Sequence, residues 1–153
     1  MQFKAFPLLP YFHKKETSVT AKVSYEGNLH TLATHVRSGS TIETDAPTDN
    51  GGKGERFSPT DLVAAALASC MVTVMGIAAN ARNMPLGRID CEVEKIMVPN
   101  PRRIGEIKVT LTFADGVTYT PEWQESLVRI AMSCPVFESL HPDCKKTIDF
   151  VWP

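Results

Sequence analysis

Neither sign of charge is in surplus. The chain has 16 basic and 17 acidic residues and a formal net charge of −1. A balance of this kind gives no global pull toward nucleic acid or anionic lipid. Aromatic residues make up only 8%, and they do not interleave with the basic residues as a nucleic-acid surface requires. Cysteine is sparse as well. Four in 153 residues are too few for a disulfide scaffold, so the expected compartment is the reducing cytoplasm. There a retained cysteine is structural, catalytic or metal-binding. No signal peptide is visible, because the apolar stretch 3–12 is short, is broken by Pro7 and Pro10, and leads to no small-residue cleavage site. Gly51-Gly52-Lys53-Gly54 lacks the spacing of a phosphate-binding loop, so it reads as a flexible loop. There is no G-x-S-x-G elbow, no dinucleotide fingerprint and no evident pair of hydrolytic carboxylates.

What remains is an ordinary globular composition, 43% hydrophobic and 22% charged. The length suits one core, so residues 1–153 are expected to form a single domain, with 1–16 as an N-terminal extension. Residues 17–25 alternate as a strand, with Val19, Ala21, Val23 and Tyr25 on one face. The turn Glu26-Gly27-Asn28 predicts a hairpin return over 29–36, and 41–44 reads as a short third strand. Residues 45–57 are polar and glycine-rich, a loop. Two more strands are predicted over 89–98 and 104–113. A helix opens at Thr120-Pro121, and Ser133-Cys134-Pro135 interrupts it and starts a shorter one. A last strand runs over 145–152. The order is three strands, helix, two strands, two helices, strand: an α+β fold.

The strongest helix starts at Ser58. Ser58 is the N-cap candidate, Pro59 fits the first helical position, and Asp61 completes a capping box. No residue from 62 to 79 carries charge. A membrane span needs roughly 20 strongly apolar residues. This run is mostly alanine with Ser69, Thr73 and Gly76, so it reads instead as a helix buried on nearly all faces. Its small residues permit close approach of neighbouring elements, a second subunit included.

Two of the cysteines are placed for chemistry. Cys134 precedes Pro135 at a helix start, where free backbone N–H groups favour a thiolate, so local physics makes it the more acidic thiol. Cys70 lies three turns into its helix, too deep for the helix end to act on it. If Cys70 is reactive, a side-chain cation must activate it, and Arg37, Arg56, Arg102 and Arg103 are candidates, with His30 or His35 assisting. The bland alternative for both is a small buried hydrophobe. Cys91 shares a strand face with Ile89 and Val93 and reads as core. Cys144 follows His141, but no partner pattern for a metal exists, so it reads as a loop or surface cysteine and neither metal nor cofactor is expected.

Ser58-Pro59-Thr60-Asp61-Leu62, Ala64-Ala65-Ala66-Leu67-Ala68-Ser69-Cys70 and Cys134-Pro135-Val136 together resemble the OsmC/Ohr family of hydroperoxide-reducing proteins. The resemblance covers about residues 19–152, and residues 44–55 resemble one branch of the wider OsmC-like group. It implies a β3-α-β2-α2-β subunit in an intertwined homodimer with long buried central helices. It also implies a peroxidatic Cys70, a resolving Cys134, organic hydroperoxide substrates and an external dithiol reductant of the lipoyl type. The peroxidase branch carries a glutamate at the position of Thr60, and Asp61 and Glu55 are its possible substitutes here. The family's activating arginine comes from the N-terminal hairpin region, where Arg37 is the nearest candidate and Arg56 the next.

Three functions compete on these residues. The first is a thiol peroxidase using Cys70 and Cys134. The second is a non-catalytic or weakly redox-active protein that holds an apolar ligand near Cys70, motivated by Thr60. The third is a cysteine-nucleophile transferase or hydrolase, which requires His30, His35 or His141 beside a thiol.

Overall fold

The computed structural model describes residues 19–153. The apolar stretch 3–12, the extension 1–16 and the first two residues of the expected strand 17–25 lie outside the described residues. Three strands come first: β1 (Ala21–Gly27), β2 (His30–His35) and β3 (Thr41–Asp45), in an antiparallel meander. A one-turn 3₁₀ segment, Thr48–Asn50, lies in the loop that leads to α1 (Pro59–Arg82). Next come β4 (Ile89–Pro99), β5 (Arg102–Phe113), α2 (Pro121–Met132), α3 (Pro135–Ser139) and β6 (Lys145–Val151). β4 and β5 are antiparallel, and β6 returns parallel to β5 after the α2–α3 crossover. The molecule is α+β with two separate three-stranded sheets.

The core sits between the second sheet and the helices. β5 supplies Ile107, Val109, Leu111 and Phe113, all buried and alternating along one face. α1 contributes Ala64, Leu67, Ala68, Met71, Met75 and Ala79, a single stripe at helical spacing. α2 adds Trp123, Leu127 and Ala131. Trp123 donates from its indole N–H to the Pro85 carbonyl (3.3 Å), and the Tyr119 hydroxyl donates to the Leu86 carbonyl. Both bonds tie the crossover to the end of α1. Cys144, expected near the surface, is instead buried at 3% exposure. It does lie in a loop, but a tight turn, in which its N–H donates to the His141 carbonyl at 2.9 Å, puts it in the core cluster.

The first sheet makes only sparse contact with this core, and Val23, Tyr25, Ile42 and Leu29 are exposed on it. α1 is likewise covered on one side alone. Val63 and Ile77 stand exposed, each seven residues from Cys70 and therefore on the same helical face. α1 is long and apolar enough to cross a membrane by length and composition, but its alanine-rich stripe packs on α2 and β4. Burial on its remaining faces, expected from composition, is not supplied among the described residues.

The loop after β3 is closed by backbone bonds: Gly52 N–H to the Pro47 carbonyl (3.1 Å) and Gly54 N–H to the Ala46 carbonyl (3.2 Å). A Cβ at Gly52 would strike Ala46, so this glycine serves close backbone approach. The loop delivers Ser58 to the start of α1, where both capping-box bonds form: Asp61 N–H to Ser58 Oγ (3.2 Å) and Ser58 N–H to Asp61 Oδ2 (2.7 Å). Lys95 on β4 adds an ion pair to Asp61 Oδ1 at 2.6 Å. Burial raises the Asp61 carboxyl, but the bonds from Lys95 and Ser58 overcome it and hold the group below the usual carboxylate range. A depressed folded pKa contributes stability that is present above the unfolded value, about 3.9, and is lost as pH falls through the folded one. Asp61→Asn is therefore expected to cost about 1 kcal/mol at pH 7. The gap from wild type should narrow in urea unfolding as pH falls below the usual carboxylate range, and a gap that does not narrow there would contradict the assignment.

Candidate functional site

The joint between α2 and α3 presses against the middle of α1. α2 ends at Met132, and Cys134 becomes the N-cap of α3 with extended backbone (φ −68°, ψ 147°). Pro135 at the first helical position forces that change of direction, because its ring fixes φ and it has no N–H to continue the ladder. Three bonds hold Cys134. Its N–H donates to the Ala131 carbonyl (3.2 Å), its carbonyl accepts from Glu138 N–H (3.1 Å), and its Sγ accepts from Phe137 N–H (3.4 Å). The residue is fully buried. Cys70, half-buried on α1 and packed against the core cluster that contains Cys134, is the neighbouring thiol that acts on it. Both cysteines are unbridged.

The expectation that Cys134 would be an acidified thiol does not hold. Burial pushes its pKa up, and the adjacent Cys70 pushes in the same direction. The N–H groups of Phe137 and Val136 pull it down but do not prevail. A five-residue helix offers little dipole to set against complete desolvation. No cation is among the groups acting on Cys134.

The expected activating groups lie elsewhere in the chain. Arg56 donates from Nε to Glu43 Oε2 at 2.7 Å and also bonds the Glu55 carbonyl. Glu43 holds its guanidinium charge firmly, pushing its pKa up. Arg102 pairs with Asp49 (3.1 Å) and Arg103 with Asp143 (3.8 Å). Arg37 lies exposed in the turn after β2. Glu55 is exposed, and its N–H donates to the buried Asp45 carboxylate at 3.2 Å. Asp61 is committed to the cap and to Lys95, and it stands nine residues before Cys70, about 13 Å along the axis. Within one chain neither carboxylate is brought to the thiols. The three candidate histidines are engaged too, all among the described residues: His30 with Asp45 (2.7 Å), His35 with Ser38 Oγ (2.7 Å), and His141 with the Asp143 N–H (3.1 Å). None of these partners is a thiol, which leaves the transferase or hydrolase arrangement without its base. Among the described residues no cluster of three His, Cys, Asp or Glu is placed to hold a metal.

One residue escaped the sequence reading. Lys95, mostly buried, reaches Thr60 Oγ1 (2.8 Å) and Ser58 Oγ (3.2 Å) besides Asp61. On a strand it looks like any alternating lysine, and nothing local marks its partners 35 residues away. It also lines a cleft of about 530 Å³ with Tyr25, Leu29, Pro59, Met97 and Arg102. That cleft lies at the N-terminal end of α1, not at Cys70.

A family model for OsmC-like proteins matches residues 52–149, the stretch that carries both cysteines. No curated protein matches the chain in sequence. Among solved structures, a protein from Psychrobacter arcticus, named for a proposed osmotic-stress and detoxification response, is 42% identical. The match covers 86% of this chain and 95% of that one, with a TM-score of 0.81. An organic hydroperoxide resistance protein OsmC from Legionella pneumophila shares the fold at 19% identity, covering 89% of this chain and 99% of that one, TM-score 0.65. So does the organic hydroperoxide resistance protein OhrB of Bacillus subtilis, at 20% identity, 86% and 98% coverage and TM-score 0.60. With more than half of its length matched by the family model and a 42% identical relative matched over 86% of it, the chain belongs to the OsmC-like family.

Proposed function

We propose that this protein is a thiol-dependent peroxidase that reduces organic hydroperoxides, acting as a cytoplasmic homodimer of one OsmC-like domain with an N-terminal extension. The observation that carries the reading is that Cys70 and Cys134 are neighbouring thiols at the same core cluster. Cys70 thiolate attacks one peroxide oxygen, the O–O bond breaks, and the alcohol leaves once protonated. Cys70 is then a sulfenic acid. Cys134 attacks its sulfur, water is released, and a disulfide forms. A dithiol returns both thiols to the reduced state. The hydroperoxide-resistance names of the Legionella and Bacillus structures and the detoxification name of the Psychrobacter protein agree with this role.

The dimer is supported by what one chain leaves uncovered. Val63 and Ile77, on the same helical face as the half-buried Cys70, are left exposed by the described residues, and the first sheet exposes Val23, Tyr25 and Ile42. A second copy that covers the stripe also dries the surroundings of Cys70 and brings a cation to it. Arg37 is the candidate, since each other candidate arginine has a carboxylate partner within the chain. Glu55 and Asp61 of the second copy are the candidate carboxylates.

Stoichiometric cumene hydroperoxide is expected to convert wild type to a Cys70–Cys134 disulfide, read by peptide mass spectrometry. Cys70→Ser should lose the first step entirely, while Cys134→Ser should stop at a Cys70 sulfenic acid. Free thiols under excess peroxide would sink the peroxidase. Light scattering should return twice the chain mass, and Ile77→Asp should shift it toward the monomer. A monomeric wild type would refute the dimer.

Thr60 supports a second reading. With threonine where the peroxidase branch has glutamate, and with Lys95 held on Thr60 and Asp61, the scaffold would bind an apolar ligand without turnover. Ligand-dependent melting shifts combined with no peroxide consumption by any dithiol would favour this reading over the first.

A further inference from the structure

Thr60 stands where the peroxidase branch has glutamate, and in this chain it is already engaged. Its Oγ1 accepts from Lys95 Nζ at 2.8 Å. Lys95 also reaches Asp61 Oδ1 (2.6 Å) and Ser58 Oγ (3.2 Å), so the start of α1 holds all three ammonium protons. The Lys95 side chain is 17% exposed, against 37%, 47% and 53% for Arg103, Arg102 and Arg56. Whatever brings Asp61 of a second copy to Cys70 therefore brings Thr60 and Lys95 with it. We infer that Thr60 of one copy, backed by Lys95, donates its hydroxyl to the Cys70 thiolate of the other copy and makes that sulfur reactive. This rests on the homodimer of the proposed peroxidase.

The register follows from the shape of α1. Between Val63 and Ile77 its uncovered side also carries Ala66, Ser69 and Thr73, all exposed. In a two-fold pair the same surface meets itself, so where residue i faces j, j faces i. The distance between packed helices is set by the side chains at the contact, and the thinnest stretch of α1 is Ala64-Ala65-Ala66. An antiparallel crossing centred on Ala65 sets Cys70 opposite Thr60, since each lies five residues from it. Along one helix those two residues are about 15 Å apart, and across the pair they meet. A crossing centred on Cys70 would instead press Val63 against Ile77, which holds the axes farther apart.

The hydrogen bonds leave one proton over. Ser58 Oγ accepts from Asp61 N–H and from Lys95, so its own proton is directed to Thr60 Oγ1 at 3.1 Å. Thr60 Oγ1 thus accepts twice, and its O–H is free to donate outward. An ionised glutamate there could only accept. A threonine fed by an ammonium donates to an anion, and charge-assisted bonds of this kind are the strong ones. The Cys70 thiol proton passes to water, and the thiolate left behind is favoured by the hydroxyl and by the positive charge behind it. The other charged groups around Lys95 are Glu55 and Arg56 in the groove on one side, and Asp49 and Arg102 in the cleft on the other. Arg56 and Arg102 are each paired with an exposed carboxylate, which leaves Lys95 as the cation set behind Thr60.

The test reads thiolate formation without peroxide. Iodoacetamide alkylation of Cys70, followed by peptide mass mapping, gives the pH profile of that thiol. At pH 7 Thr60→Val is expected to slow alkylation about fivefold and Lys95→Met about tenfold, each by moving the profile to higher pH. Lys95→Arg should keep most of the wild-type rate, and Arg37→Ala should shift the profile less than Lys95→Met. Thr60→Val leaves the Lys95–Asp61 pair intact, so it reads the hydroxyl even where Lys95→Met fails to fold. Co-expressed chains, one Lys95→Met and the other Cys70→Ser, form a mixed dimer whose one Cys70 faces an intact Lys95, so it should react at the wild-type rate. An unshifted Thr60→Val profile, a slow mixed dimer, a larger shift from Arg37→Ala, or a Cys70–Cys70 disulfide between chains would each overturn the inference. Alkylation that depends on Thr60 and Lys95 in a protein that consumes no peroxide would sink the peroxidase alone. Peroxide consumption with an unshifted Thr60→Val profile would do the reverse.

Discussion

Everything at the thiol pair depends on how closely the α2–α3 joint approaches the middle of α1. The buried stripe of α1 alternates alanine with leucine and methionine: Ala64, Leu67, Ala68, Met71, Met75, Ala79. Alanine lets the neighbouring backbone come near, and the unbranched methionines fill what remains. Trp123 and Tyr119 then fasten the crossover to the end of α1. With that distance set, the reversal at Pro135 leaves Cys134 facing Cys70. A bulkier stripe would hold the joint away, and the two sulfurs would remain ordinary core residues.

Charge is disposed differently. The cations and carboxylates of the region are concentrated at the N-terminal end of α1 and the loop before it. Lys95 meets Asp61, Arg56 meets Glu43, and His30 meets the buried Asp45. His30 and Asp45 are cross-strand partners in register, and their contact holds the Asp45 carboxyl below its usual range. Asp45 also accepts from Glu55 N–H, so the same carboxylate anchors the loop that delivers the cap of α1. The thiols sit about 13 Å farther along the helix. Within a chain, the reactive sulfur and the charged groups are thus separated by the rigidity of α1 itself, and the uncovered Val63–Cys70–Ile77 face is where a second copy would reunite them.

Most of the fold was legible in the linear chain. The alternation Ile107, Val109, Leu111, Phe113 declared β5, and Ser58-Pro59-Thr60-Asp61 declared the start of α1 down to its capping box. These are nearest-neighbour effects: a cap reads three residues ahead, and a strand face reads every second residue. Cys144 ran against its local signal. A Pro-Asp turn beside a histidine reads as surface, but the turn is tight and the Cys144 side chain joins the core cluster. Cys134 was legible as an N-cap, yet its acidity was misjudged, because the sequence shows a helix start and does not show how much water reaches it.

Local pattern alone therefore determined the order of elements, the caps and the breaks at proline, since each depends on residues a few positions apart. Tertiary structure decided that Cys70 and Cys134 are neighbours, that burial outweighs the helix end in setting the Cys134 thiol, and that Lys95 is spent on Asp61. The reason is physical. Desolvation and ion pairing depend on what lies within a few ångströms in space, and that neighbourhood exists only after the core has closed.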